Sequence, residues 1–209
     1  MKKFFTAIPL QQSPEGLNSV AYQAVGNSRL QMESKTSFPI LTTVNGYVQP
    51  GEEFRLIAVM PDSEATRRNR DTLTAQLEQL CARKGLCCPK GVETVLISGN
   101  QEVSAHVETF QKLLDYVDDD DELFCCMTFG TKPLSHAMLL AVQYAYRVKK
   151  NASISCVVYG EIDRTGPKPW NAGKVYDMTA LIQLDEIVRV LAERGVADPK
   201  GTLERILSL

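Results

Sequence analysis

The stretch ELFCCMTFGTKPLSH, residues 122–136, decides the fold because its character changes at one glycine. Before Gly130 the residues form an apolar run, which is typical of a strand buried on both faces of a sheet. After Gly130 come Thr131, Lys132 and Pro133, followed by apolar residues at helical spacing. Threonine is a good N-cap residue, and proline suits the first position of a helix. The stretch therefore predicts a buried strand, a tight polar turn and the start of a helix.

This turn carries groups that can hold a phosphate. The free N–H groups at a helix N-terminus attract anions, and Gly130 lets the backbone approach a ligand closely. A plain helix cap is the alternative, but the helix dipole disfavours the Lys132 cation there unless an anion offsets it. His136, one turn further on, could either approach a ligand or pack between helices. The predicted site comprises Thr128, Phe129, Gly130, Thr131, Lys132, Ser135 and His136.

The alternation of apolar runs and amphipathic segments recurs along the whole chain. Apolar runs predict five strands, at residues 2–10, 54–61, 92–100, 123–129 and 154–162. Helical spacing predicts helices at about 63–84, 101–117, 132–149, 177–195 and 201–209, and less clearly at 38–48. In the helix at 101–117, the valines at 103 and 107 are expected to face inward with Phe110 and Leu113.

Two further segments have local signals of their own. Two alternating runs flank Gly26-Asn27-Ser28 and predict a small β-hairpin inserted after the first strand, at about 19–34. Four consecutive aspartates, 118–121, are interpreted as a solvated turn, with a divalent-ion site the weaker alternative because EF-hand spacing is absent.

Strands that alternate with helices favour right-handed crossovers and a parallel sheet. We therefore predict a Rossmann-like α/β fold: a mainly parallel sheet flanked by helices, in a single domain, 1–209, with C-terminal helices at about 177–209. In such sheets ligands bind beyond the carboxyl ends of the strands. The segments expected to meet there are 9–12, 61–63, 98–100, 128–132 and 159–161, which adds Pro9, Gln11, Gln12 and Glu161 to the candidate ligand-binding residues.

Composition and missing motifs exclude several classes of function. A net charge of −2 gives no general attraction to long nucleic acid. The apolar runs are too short for a membrane segment, and no signal peptide is evident, so a cytoplasmic location is expected. Nucleotide-cofactor fingerprints are absent, and the six cysteines lack metal-ligand spacing, so neither a cofactor nor a metal is expected.

The order of these motifs resembles one known family. The segments CMTFGTKPLSHAMLLAVQYAYRV, SISCVVYGEID and KVYDMTALIQLDEIVRVL resemble the core of the CRISPR-associated Rossmann-fold (CARF) proteins, which carry a similar turn, a V-x-Y-G strand and a V-x-D-[LM]-T segment. The resemblance extends to the segment after the first strand and to residues 37–40, and so covers nearly the whole chain.

The resemblance implies a homodimer that binds a cyclic oligoadenylate, such as the tetra- or hexa-adenylate, in type III CRISPR antiviral signalling. Such domains control an effector, and the roughly 35 residues after Lys174 are too few for a catalytic domain. We therefore expect a sensor that stands alone or acts on an effector outside this chain. The alternative is an enzyme, a metal-independent ring nuclease that degrades the ligand. A transcription regulator is a weaker third possibility, because neither a helix-turn-helix nor a basic tail is present.

Overall fold

The computed structural model describes residues 1–13, 16–165 and 170–208. It contains a seven-stranded sheet in the order β2-β7-β6-β5-β1-β3-β4. The strands are β1 (Lys2–Ala7), β2 (Ala21–Val25), β3 (Phe54–Pro61), β4 (Val92–Ile97), β5 (Glu122–Cys126), β6 (Ser153–Ile162) and β7 (Ala172–Asp177). The helices are α1 (Ile40–Tyr47), α2 (Glu64–Lys84), α3 (Val103–Leu114), α4 (Lys132–Val148), α5 (Thr179–Glu193) and α6 (Pro199–Leu207).

The α/β prediction is confirmed. Strands β1, β3, β4, β5 and β6 pair in parallel, and each lies where an apolar run predicted a strand. Helix α2 begins after its N-cap, Ser63, close to the predicted start, and ends before Gly85, whose φ of +65° is the left-handed conformation that glycine adopts easily. The result is the mainly parallel, Rossmann-like sheet that the sequence predicts.

The predicted hairpin is wrong. Its first run forms β2, but the second begins with a short 3-10 turn, Ser28–Leu30, and contains no strand among the described residues. An isolated antiparallel bridge joins Val20 to Thr36. Strand β2 instead pairs in parallel with β7, which is antiparallel to β6. Strand β7 occupies residues that the sequence assigned to a loop and to the start of a helix.

The two faces of the sheet are covered by different helices. From β1 to β3 to β4 the chain moves towards one side of the sheet, and from β4 to β5 to β6 it moves back. Because the crossovers from β3 onward are right-handed, α2 lies on one face and α3 and α4 on the other, and α1 shares a core with α2. The core on the first face joins side chains of α1 and α2 to those of alternate strand residues, including Phe4, Phe124, Cys156 and Val158.

The four aspartates after α3 do not form a plain solvated turn. Asp121 is buried, and its Oδ2 lies 2.6 Å from the Nζ of Lys3, which is itself 2% exposed. Asp118 Oδ2 accepts a second bond from the same Nζ at 2.7 Å. The N-terminal amine of Met1 lies 3.4 Å from Asp121 Oδ1. The acidic turn therefore neutralises buried positive charge at the amino edge of the sheet.

The chain divides into two compact units, Met1–Asp177 and Met178–Leu209. The second contains α5 and α6. Arg189 of α5 pairs with Glu186 and Glu193, and the side chain of Asp198 caps α6. Helix α5 begins two residues after Asp177, where the sequence predicted its C-terminal helices to begin. The predicted residue Leu209 and the loop residues 166–169 lie outside the described residues.

Candidate ligand site at the carboxyl edge of the sheet

The turn after β5 lies at the point where the strand order reverses. Strands β1 and β5 are neighbours, but the chain leaves them towards opposite faces of the sheet. In open α/β sheets this arrangement opens a crevice between the two loops, and ligands bind there. The turn residues 128–132 are therefore at the position where this fold favours a ligand site.

Gly130 is required by two features of this crevice. Its φ is +92°, a conformation that side chains rarely adopt. A Cβ there would lie 3.0 Å from Leu134 Cδ2 and 3.1 Å from Ala7 Cβ, the latter at the end of β1. The glycine thus brings the turn against the end of the neighbouring strand β1.

Thr131 and Lys132 occupy the first turn of α4. The Thr131 hydroxyl accepts a hydrogen bond from the amide of Leu134 at 3.4 Å, which makes it the predicted N-cap. Ser135 donates its amide to the Thr131 carbonyl and is half-buried. Lys132 is exposed and has no ion pair or side-chain hydrogen bond within the described part of the chain. Its ammonium group is therefore available to a ligand.

Thr128 and Phe129 are both half-buried, and their contacts hold the turn in place. The Thr128 hydroxyl accepts the amide of Gly160 at 2.7 Å and the thiol of Cys126 at 3.2 Å, which ties the end of β5 to β6. Phe129 is half-buried, and its ring contacts Phe38 edge to face at a centroid distance of 6.1 Å. Burial raises the pKa of Cys126, so its thiol stays protonated in this position.

The loop after β1 is fixed through its carbonyl groups. The side-chain amide of Asn69 donates to the Pro9 carbonyl at 2.8 Å, and the Arg68 guanidinium donates to the Gln12 carbonyl at 2.6 Å. Both also bond the Gln11 carbonyl at 3.1 Å. Pro9 is buried, whereas the side chains of both glutamines are exposed at the edge of the site.

Sequence reasoning missed the two α2 residues that hold this loop. Asn69 is buried four residues before Leu73, on the apolar stripe that continues through Leu77 and Leu80. A polar residue on an apolar stripe needs hydrogen-bond partners. The place of Asn69 on the apolar stripe therefore indicated a buried hydrogen-bonded side chain. The sequence did not indicate that its partners are the carbonyl groups of Pro9 and Gln11.

Strand β6 continues past the end of β5 and forms a wall beside the turn. The last residue of β6 that pairs with β5 is Val158, and β6 then continues to Ile162. Glu161 lies on this extension and is exposed, and its Oε2 accepts a hydrogen bond from the Tyr176 hydroxyl of β7 at 2.8 Å. This bond to a carboxylate raises the pKa of Tyr176. Thr128 and Gly160 join the wall to the turn.

His136 lies in a different feature, an apolar groove of about 510 Å³ between α3 and α4. The valines at 103 and 107, predicted to face inward, line this groove and are 79% and 49% exposed. The prediction is wrong for these two valines and correct for Leu113, because the buried stripe of α3 consists of Ala105, Thr109 and Leu113. The groove is lined by Val103, His106, Val107, Phe110, Pro133, His136, Ala137, Leu140, Gln143, Tyr144, Arg147 and Val148.

The segments 61–63 and 98–100 were also predicted to lie at this edge. Among the described residues, no hydrogen bond joins either segment to the turn after β5. Ser63 caps α2, and the Ser98 hydroxyl accepts the amide of Asn100 beyond β4. Both segments follow strands on the far side of β1. Ala7 at the end of β1 and Gly160 of β6 lie against the turn after β5, whereas the loop 9–12 is held to α2, the helix that follows β3.

Other chemistry is limited in the described part of the chain. There, His, Cys, Asp and Glu side chains form no group suited to a metal ion, and no helix is both long and apolar enough to cross a membrane. Burial raises the pKa of Cys81, and that of Cys88 to about 12, so these thiols are poor nucleophiles. The sequence matches neither a protein-family model nor a curated protein.

Proposed function

We propose that the chain is a cytoplasmic sensor of cyclic oligoadenylate in type III CRISPR signalling, which acts as a homodimer on an effector domain or protein outside this chain. The observation that carries the proposal is Lys132, an exposed cation without an ion partner among the described residues, at a helix N-terminus. Folding gives no reason for a cation there, whereas a phosphate would neutralise it. The phosphate could also accept from the N–H of Lys132, because Pro133 has no N–H and the Leu134 amide is already bonded to Thr131.

The turn suits one phosphate of a larger ligand. Gly130 is exposed, so the backbone of the turn can be reached from solvent. A cyclic ligand with repeated phosphates could contact the same turn in each of two subunits, as an isologous interface requires. This explains how a protein with a net charge of −2 could bind a polyanion at one local site.

The groove between α3 and α4 supports self-association. It begins at Pro133 and His136, in the first turns of α4 beside Lys132, and exposes Val107 and Leu140. A contiguous apolar surface of this kind typically marks an interaction site. A second copy packed there would lie next to the turn. Analytical ultracentrifugation of Val107→Glu, with Leu96→Glu on β4 as the control, tests this interface, and an unchanged dimer would exclude it.

Isothermal titration calorimetry with cyclic tetra- and hexa-adenylate tests the function itself. We expect binding by the natural protein and a loss of about 30-fold, or about 2 kcal/mol, in Lys132→Ala, because a charge-assisted phosphate contact is removed. Lys150→Ala, beyond the other end of α4, is the matched control and should bind normally. Equal affinities for both variants would exclude the turn as the phosphate site.

The same samples separate the sensor from the ring nuclease. Chromatography of the ligand after prolonged incubation should recover intact rings if the protein only senses them. Linear products that disappear in Lys132→Ala would instead establish the enzyme. Absence of both binding and cleavage would exclude the proposed ligand class.

A further inference from the structure

We propose that Tyr159 and Tyr176 form a platform on which an adenine base of the ligand stacks, with Glu161 accepting a hydrogen bond from its exocyclic amino group. The proposal rests on the proposed function and adds to it a binding site for the base. It concerns the wall formed by β6 and β7, which lies beside the phosphate turn.

The two tyrosines are direct cross-strand neighbours. Tyr159 pairs with Tyr176, and Glu161 pairs with Lys174, in the antiparallel ladder of β6 and β7. Opposite residues project from the same face, and so do residues two apart on one strand. All four side chains therefore share one face of the wall. Tyr159 is 43% exposed, Tyr176 is half-buried, and Glu161 and Lys174 are exposed.

This face is the one that carries α4 and Lys132. Gly160, the neighbour of Tyr159, faces the opposite side, because a Cβ there would lie 2.2 Å from Pro39 Cγ, just before α1. Side chains alternate along a strand, so Tyr159 points to the α4 side. The Thr128 hydroxyl, three residues before the N-cap of α4, bonds the Gly160 amide. The platform and the phosphate turn thus flank the same crevice on the same face.

The chemistry of this face fits a nucleobase with an amino group. Aromatic side chains stack on bases, and the exposed ring of Tyr159 beside the half-buried ring of Tyr176 offers more area than a single ring. One oxygen of Glu161 accepts from Tyr176, which holds the carboxylate in place while its other lone pairs remain available. A carboxylate accepts from an exocyclic amino group, such as N6 of adenine. A depression of about 560 Å³, lined by residues 161–165 and Lys174, adjoins the Glu161 end of the platform.

Calorimetry with cyclic tetra-adenylate tests the platform in the full chain. We expect Tyr159→Ala to weaken binding by about tenfold or more and Tyr159→Trp, which keeps a stacking surface, to stay within about threefold. Tyr146→Ala is the matched control, because Tyr146 of α4 has the same exposed fraction, 43%, and lies outside the site. It should bind normally.

The outcomes distinguish this inference from the proposed function. Binding by the natural protein that is unchanged in Tyr159→Ala overturns the platform and leaves the function intact. If the natural protein binds no cyclic oligoadenylate, the function fails, and saturation-transfer NMR with 5′-AMP decides the platform. Transfer to the purine protons that is lost in Tyr159→Ala would support it, and absence of transfer in the natural protein would overturn it.

Discussion

Two lysines at opposite edges of the same sheet have contrasting surroundings. Lys3, near the amino end of β1, is 2% exposed and lies between the carboxylates of Asp118 and Asp121. Lys132, in the turn after β5, is exposed and lacks an ion partner in the described residues. The charge of Lys3 is neutralised by the fold itself, whereas that of Lys132 is left to solvent or to a ligand.

The difference shows how to tell a structural cation from a functional one. A buried ammonium must be paired, since desolvation would otherwise cost several kcal/mol. The partners of Lys3 are therefore explained by folding alone. An exposed cation at a helix N-terminus gains nothing from the helix dipole. Changes at the amino edge should accordingly affect stability, and changes of charge at the carboxyl edge should affect binding.

The largest expected effect is that of Lys3→Met on stability. Removing the ammonium leaves the buried Asp121 carboxylate with the amide of Asp118, at 2.7 Å, and the more distant amine of Met1, at 3.4 Å, as its partners. Breaking a buried ion pair from one side typically costs about 3–5 kcal/mol. Urea denaturation should show this loss for Lys3→Met and less than about 0.5 kcal/mol for Lys132→Met, as for other surface changes. Equal losses in the two variants would remove the distinction between the edges.

Next in size is a steric test at the carboxyl edge. In Gly160→Ala the new methyl group would overlap Pro39 Cγ, at 2.2 Å. Because β6 or α1 would have to shift, we expect a loss of about 1–3 kcal/mol in the free energy of unfolding. Gly99→Ala is the control, since its Cβ would meet only Pro61, at 4.0 Å. A stable Gly160→Ala would mean that the wall is not packed against α1.

A smaller effect is expected at Thr128. Thr128→Val keeps the shape but removes the acceptor of the Gly160 amide, which should cost about 1 kcal/mol. Thr128→Ser keeps the oxygen and should retain most of the stability. Thermal unfolding of both variants would measure the difference. If valine and serine have equal effects, the hydrogen bond does not hold the wall to the turn.

The sequence predicted the carboxyl edge better than the amino edge, and the reason is locality. The carboxyl edge is built from consecutive residues: β5, Gly130, the Thr131 cap and α4. A short stretch of sequence therefore contains all the patterns that predict it. Lys3 and Asp118 are 115 residues apart, and no short pattern relates them. The sequence therefore indicated a solvated surface turn at Asp118 to Asp121.

The errors at the far edge of the sheet have a related cause. Strand β2 pairs with β7, about 150 residues later, and a local turn signal at Gly26 made a hairpin the simpler interpretation. The sequence assigned residues up to Lys174 to a loop and began the next helix near Asp177, so no strand was predicted over Ala172–Asp177. Tyr176 was therefore not placed beside Tyr159, and only Glu161 of that face was predicted as part of the site.

Acid stability gives the smallest expected effect and bears on the amino edge alone. The hydrogen bond from Lys3 holds the pKa of Asp118 below its ordinary value of 3.8. A carboxylate with a lowered pKa in the folded state adds stability above its unfolded pKa, and this is lost as the pH falls through the folded value. Asp118→Asn should therefore lose less stability than the natural protein as the pH falls below about 4.

The control is Lys132→Met. Its stability in urea denaturation should follow that of the natural protein across the same pH range, because Lys132 has no carboxylate partner among the described residues. A flatter acid profile in Lys132→Met would instead place a carboxylate beside the turn and weaken the case for a phosphate there.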